Sequence, residues 1–174
     1  MEGLQRYHEF LQDIDEEFAR IEAALARSGA SGTPCRQGCS ECCRPMTVLP
    51  LEACAILTEA GAIACNDHGT DPEGACAFLA LERTCRIYAV RPFLCRTRGF
   101  PVLYMNGDGD RQSAACEKRG FPLLSADSPG IRLELWNARL FRLNDAFCRE
   151  RGIHPARIRL ADLRLRQTAL LSPA

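Results

Sequence analysis

Eight of the chain's eleven cysteines fall into one pattern, and the chemistry of that pattern is that of a metal site. Cys35, Cys39, Cys42 and Cys43 form a C-x3-C-x2-C-C run, Cys76, Cys85 and Cys95 follow, and Cys116 closes the set. Thiolates are soft ligands that select zinc, iron–sulfur clusters or copper(I). Short C-x2-C and C-x3-C spacings let one turn bring two sulfurs onto a single ion, at zinc–sulfur distances of about 2.3 Å. Cys42 and Cys43 are adjacent, and neighbouring side chains diverge in most backbone conformations. The sequence therefore leaves open which of the two ligates. Eight thiolates suffice for two four-cysteine zinc sites, or for one cluster with further cysteines around it.

Disulfides are the competing use of so many cysteines, and two features argue against them. The N-terminal stretch is charged from Glu2 onward and has no apolar run ending in a cleavage site. It does not read as a secretory signal, so the expected location is cytoplasmic, where thiols stay reduced. An odd number of cysteines also cannot pair completely within one chain. No apolar stretch approaches the roughly 18 residues of a membrane span. Basic and acidic side chains balance at 22 each, so nothing global points to nucleic acid or an anionic membrane.

Arginine directly follows four of the eight cysteines, as Arg36, Arg44, Arg86 and Arg96. A four-thiolate zinc site carries about two negative charges, which nearby guanidinium groups would offset. The bland alternative is that these arginines are solvated. Cys54, Cys65 and Cys148 lie outside the pattern; packing as small hydrophobes is the simpler account of each. Asn106, Asp108, Asp110 and Glu117 imitate a calcium loop, but Arg111 stands where that loop needs glycine, so a hairpin turn is the expectation.

The segments CRQGCSECC (35–43), CAFL (76–79) and CRIYAVRPFLCR (85–96) resemble the YkgJ-type cysteine cluster proteins, a zinc- or iron-chelating family. The most specific part is a C-x-IY-x-x-RP-x-x-CR signature, carried by Cys85, Ile87, Tyr88, Arg91, Pro92, Cys95 and Arg96. Two small departures are the three residues between Cys35 and Cys39, where the family has two, and Ala77, where proline is usual. The resemblance implies a metal-binding domain, often described as iron–sulfur, and assigns no reaction. Neither the paired short motifs of a zinc ribbon nor the ferredoxin run C-x2-C-x2-C-x3-C-P is present. The preference for an iron–sulfur cluster over zinc rests on the resemblance.

The elements that must position these thiols are mainly helical. Over residues 1–27, Leu4, Tyr7, Leu11, Ile14, Phe18, Ile21 and Leu25 recur at steps of three and four, one apolar stripe ended by Ser28, Gly29 and Gly32. A second stripe, Leu133, Trp136, Leu140, Leu143 and Phe147, predicts a helix starting at Ser128 and Pro129 and stopping at Gly152. The first helix is acidic and the second, with its continuation, arginine-rich, which suits them to pack together. Pro50 to Ala60 reads as a short helix, residues 101–104 and 112 onward as a hairpin, and the stretch from Pro155 as a last helix or a strand. The expectation is one mainly α domain over 1–174. Its helical frame (1–27 and 128–171) would pack around an irregular metal-binding region at 35–116.

Three functions fit this reading. The first is a protein with a cysteine-ligated iron–sulfur cluster or zinc site in a structural or redox role, with a protein or electron-transfer partner and no membrane or nucleic acid. The second is an enzyme acting near the metal, with Tyr88, Arg91 and Arg98 lining a pocket and Cys43 as a nucleophile. No triad, phosphate loop or dinucleotide fingerprint supports a familiar reaction. The third is a zinc-stabilised interaction module using the long helices.

Overall fold

The computed structural model describes residues 2–29, 38–60, 74–116, 128–163 and 170. Cys35, Cys65, His68 and Glu117 lie outside the described residues. The described chain is mainly α, with two small sheets.

Helix α1 (Glu2–Arg27) forms where the first apolar stripe predicts it, and that stripe is its buried face. Phe10, three residues after Tyr7 and four before Ile14, joins it, fully buried. Its ring meets those of Phe93 and Trp136 edge to face, at centroid distances of 5.6 and 5.7 Å. Gly29, with φ 67°, follows the last turn in the left-handed region that glycine tolerates. Helix α2 (Pro50–Ala60) has the predicted bounds. Helix α4 (Leu133–Arg151) ends at Gly152, whose left-handed conformation lets its N–H reach the Arg149 and Cys148 carbonyls.

The start of α4 corrects the sequence reading. Ser128 does not cap it, because Ile131–Arg132 form strand β4 before the helix begins. Ile131 is fully buried and donates its N–H to the Pro101 carbonyl at 2.8 Å. That strand pairs in parallel with β2 (Val102–Met105), which pairs antiparallel with β3 (Arg111–Ala114), giving the order β3-β2-β4. The β2–β3 turn is the expected hairpin: the Asn106 side-chain oxygen accepts from the N–H groups of Asp108 and Asp110. After Pro155 the described chain is strand at Ile158–Arg159 only, the alternative the sequence left open, and residues 164–169 and 171–174 of the expected last helix lie outside the described residues. There β5 (Ile158–Arg159) pairs antiparallel with β1 (Thr47–Val48), before a 3-10 turn over Leu160–Asp162.

Helices α1, α2 and α4 share one apolar cluster, in which Tyr7, Phe10, Ile14 and Leu25 of α1 meet Leu51 of α2 and Phe147 of α4. The opposite charges of α1 and α4 make contact once among the described ion pairs, where Arg139 reaches Asp13. A second, smaller cluster uses the other side of α2, through Ala53 and Ile56, with Val48, Phe78, Ile87 and Leu160. Helix α2 is thus common to both clusters, and the second lies beside the cysteines.

Candidate metal centre

Cys39, Cys42 and Cys43 occupy a turn held by Cys43 N–H to the Ser40 carbonyl (2.9 Å) and Arg44 N–H to the Cys42 carbonyl (3.0 Å). That tight turn has a consequence the sequence argument did not anticipate. The adjacent Cys42 and Cys43 face one cavity instead of diverging, and their thiols interact directly. Cys76 is tied to this turn by its N–H, which donates to the Cys43 carbonyl at 3.1 Å.

Cys85 sits at the far end of a second turn. Ala80 N–H bonds the Thr84 carbonyl, Leu79 and Cys85 form an isolated antiparallel bridge, and Arg83 adopts a left-handed φ of 59°. From that strained position Arg83 donates through Nε to the Ser40 hydroxyl at 2.8 Å, with Glu41 3.6 Å from its Nη2. It clamps the Cys85 turn to the Cys39–Cys43 turn.

Cys95 is delivered by helix α3 (Phe93–Thr97), which follows Pro92 and was missed as an element in the sequence. Its anchor is a second residue the sequence analysis passed over. Glu52 is almost wholly buried, at 3% exposure. One carboxylate oxygen accepts from Leu49 N–H just ahead of α2, and the other accepts from Phe93 N–H at the start of α3, both at 2.9 Å. The first contact is half of a capping box, legible as Glu52 three residues after Leu49. The second spans 41 residues and has no local signal. Burial pushes the Glu52 carboxyl up, against the opposing pull of those two N–H groups.

Cys39, Cys42, Cys43, Cys76, Cys85 and Cys95 line one cavity of about 380 Å³. Met46 borders it too, with its sulfur 3.4 Å from that of Cys95. Cys116, just past β3, is not in that lining, and Cys35 is outside the described residues. None of the nine described cysteines is in a disulfide. Cys54 and Cys148 are buried in the helical cluster, the placement expected of packing cysteines. The cavity thiols share a wall without closing on one point: among the described residues no three His, Cys, Asp or Glu side chains are near enough to hold a metal ion.

The electrostatics follow from that crowding. Burial first, and then the neighbouring sulfurs, push the Cys43 and Cys95 thiols up to about 12. The Cys85 thiol is raised by burial as well, although the Arg91 charge pulls it down. These groups are protonated without metal, and a bound cation would reverse the balance by favouring thiolate. A raised pKa is the opposite of what a nucleophile needs, which disfavours Cys43 in that role.

The arginines of the cavity are not the ones that follow cysteines, Arg44 excepted. Arg83, Arg91 and Arg98 line it as well, and the described lining contains no carboxylate. Arg96 turns elsewhere, to the Ala89 and Arg91 carbonyls and to Asp15. Tyr88, Arg91 and Arg98 do border the cavity, as a pocket reading of the sequence anticipated.

Residues 34–118, which contain all of these thiols, match the model of the family CxxCxxCC, described as a "putative zinc- or iron-chelating domain". Residues 34–118 are thus similar to the CxxCxxCC family, whose description supports metal binding in general, and the preceding geometry shows how the cysteines of that segment are arranged. No curated protein and no solved structure gives a significant match to the chain. Among the described residues, no helix is long and apolar enough to cross a membrane.

Proposed function

We propose that this segment holds a cysteine-ligated centre in the cavity, an iron–sulfur cluster in preference to zinc, with a structural or redox role. The observation that carries the reading is that thiols from separate turns and from α3 line one shared wall. Cys42, Cys43, Cys76, Cys85 and Cys95 are the central ligands proposed, with Cys39 at the exposed rim and Cys35 and Cys116 as further candidates. The cavity size favours a polynuclear centre. A lone zinc ion draws its sulfurs to about 2.3 Å and needs no space between them, whereas a cavity of about 380 Å³ leaves room for several atoms.

Such a centre supplies a low-dielectric redox or structural node, and the chain's own residues set its surroundings. Glu52 fixes the start of α3 and hence Cys95, while Arg83 fixes the two cysteine turns against each other. Metal binding would add folding free energy to a region whose local order comes from short turns.

Anaerobic purification followed by metal analysis and visible absorption tests the reading. Brown protein containing iron and sulfide supports a cluster. Colourless protein with zinc bound at the cysteines supports the structural alternative and rules out a redox role. Folded protein that binds neither metal under reducing conditions refutes the proposal.

A further inference from the structure

Arg91 is the anomalous residue of the cavity. Its Nε is shut away from solvent and has no hydrogen-bond acceptor among the described residues. Its guanidinium lies over the Tyr88 ring, 4.0 Å from the centroid, and Tyr88 is 57% exposed. A buried guanidinium N–H without an acceptor is costly. Stacking on one aromatic face orients the group but leaves its in-plane donors unmatched. Something anionic belongs opposite that nitrogen, and the cavity that Arg91 lines offers sulfur and no carboxylate among its described residues.

We infer that Arg91 is the cationic partner of the metal–thiolate centre, its Nε–H donating to a ligand sulfur on the Cys85 side of the cavity while Tyr88 holds the guanidinium in that pose. Three observations converge: the orphaned donor, the aromatic support, and the shared cavity wall. A zinc ion with four thiolates carries about two surplus negative charges, and a buried cation in the outer shell compensates them. Arg91 is thus a positioning and charge-compensating residue, acting on the centre through the sulfur it touches.

This inference rests on the proposed metal binding, and the test separates the two. Zn(II) affinity is measured on the reduced full-length protein by competition with a chromophoric chelator, for the wild type, Arg91→Gln, Arg91→Lys, Tyr88→Ala and Arg98→Gln. Outer-shell partners of metal ligands are worth about 10–100-fold in affinity. Arg91→Gln should fall in that range. Arg91→Lys should keep part of the loss, because the charge remains but the planar fork is gone. Tyr88→Ala should lose a few-fold, and Arg98→Gln, which removes an exposed cation of the same lining but no buried donor, should lose less than Arg91→Gln.

The sulfur-to-metal charge-transfer band of the Co(II) form gives a second readout, since a hydrogen bond withdrawn from a ligand sulfur shifts it. Equal affinities and unshifted bands in wild type and Arg91→Gln would overturn the inference while leaving metal binding intact. Failure of the wild type to hold Zn(II), Co(II) or an iron–sulfur centre would overturn the underlying reading instead. Should Arg91→Gln not fold, Tyr88→Ala decides: its surface position makes it safe for folding, and unchanged affinity and band position there would count against the inference.

Discussion

The helical cluster and the cysteine cavity meet at α2 but are held together by different physics. The cluster of α1, α2 and α4 buries large side chains outright: Tyr7, Phe10, Ile14 and Leu51 are at most 2% exposed. Its aromatic rings stack and cross, as Phe18 does on Phe100 with centroids 4.1 Å apart. The cavity side has a smaller apolar cluster, short turns and partly exposed thiols, fastened by the Arg83 bond to Ser40 and by Glu52, which accepts from Phe93 N–H. Apolar burial is sufficient to define the first region. In the second, the described sulfurs line one cavity without converging on a point, which leaves the last part of the ordering to the centre proposed there.

The sharpest way to break this comparison is at Phe10. Phe10→Ala should destabilise the protein by about 3–5 kcal/mol, by the same amount with and without metal, in denaturant titrations of both forms. A loss that depends strongly on metal would show that the two regions are not separable.

Glu52→Ala should cost about 2–5 kcal/mol, since it strands the Leu49 and Phe93 N–H groups at about 1–3 kcal/mol each. Because it also frees the start of α3, it should weaken Zn(II) binding, where Phe10→Ala should not. Chelator competition on the two variants tests that crossing of effects.

Gly152→Ala, at a left-handed C-cap with open space around it, should cost about 1 kcal/mol through backbone conformation alone. Leu81→Ser sharpens the other end of the scale. Leu81 is 94% exposed at the tip of the Cys85 turn, and its replacement should stay within about 0.5 kcal/mol in thermal melts and leave metal content unchanged.

The two regions also differ in pH response. Metal must displace protons from thiols that burial has raised, so affinity should climb as pH rises over about 6 to 9 and fall as protons compete at the lower end. In the helical cluster burial raises the Cys54 and Cys148 thiols, and no metal competes for their protons. Chelator competition at several pH values checks the sign.

What the sequence conveyed divides along the same line. Helices α1 and α2 were legible because periodicity and a Pro/Gly boundary are local signals, and Gly152 marked the end of α4 for the same reason. The start of α4 was not legible. Ile131 continues the apolar pattern, but its N–H is claimed by Pro101, a partner distant in sequence. Of the cavity, the cysteine types and the Tyr88–Arg91 segment could be picked out by composition and spacing. The reach of Glu52 to Phe93 could not, because it is a tertiary contact, and the turn that aims both Cys42 and Cys43 inward rests on local backbone hydrogen bonds that residue types alone do not mark. Arg91 stood in the signature, yet only its buried, unmatched Nε distinguishes it from the solvated arginines around it.

The most direct test sets the two classes of cysteine against each other. Metal bound per chain is measured after anaerobic purification for a Cys85→Ala/Cys95→Ala pair in the cavity and a Cys54→Ala/Cys148→Ala pair in the helical cluster. The account predicts that the cavity pair loses its metal while remaining helical by circular dichroism, and that the cluster pair keeps it. Full metal content in the cavity pair, or its loss only from the cluster pair, would contradict the assignment of the centre to this cavity.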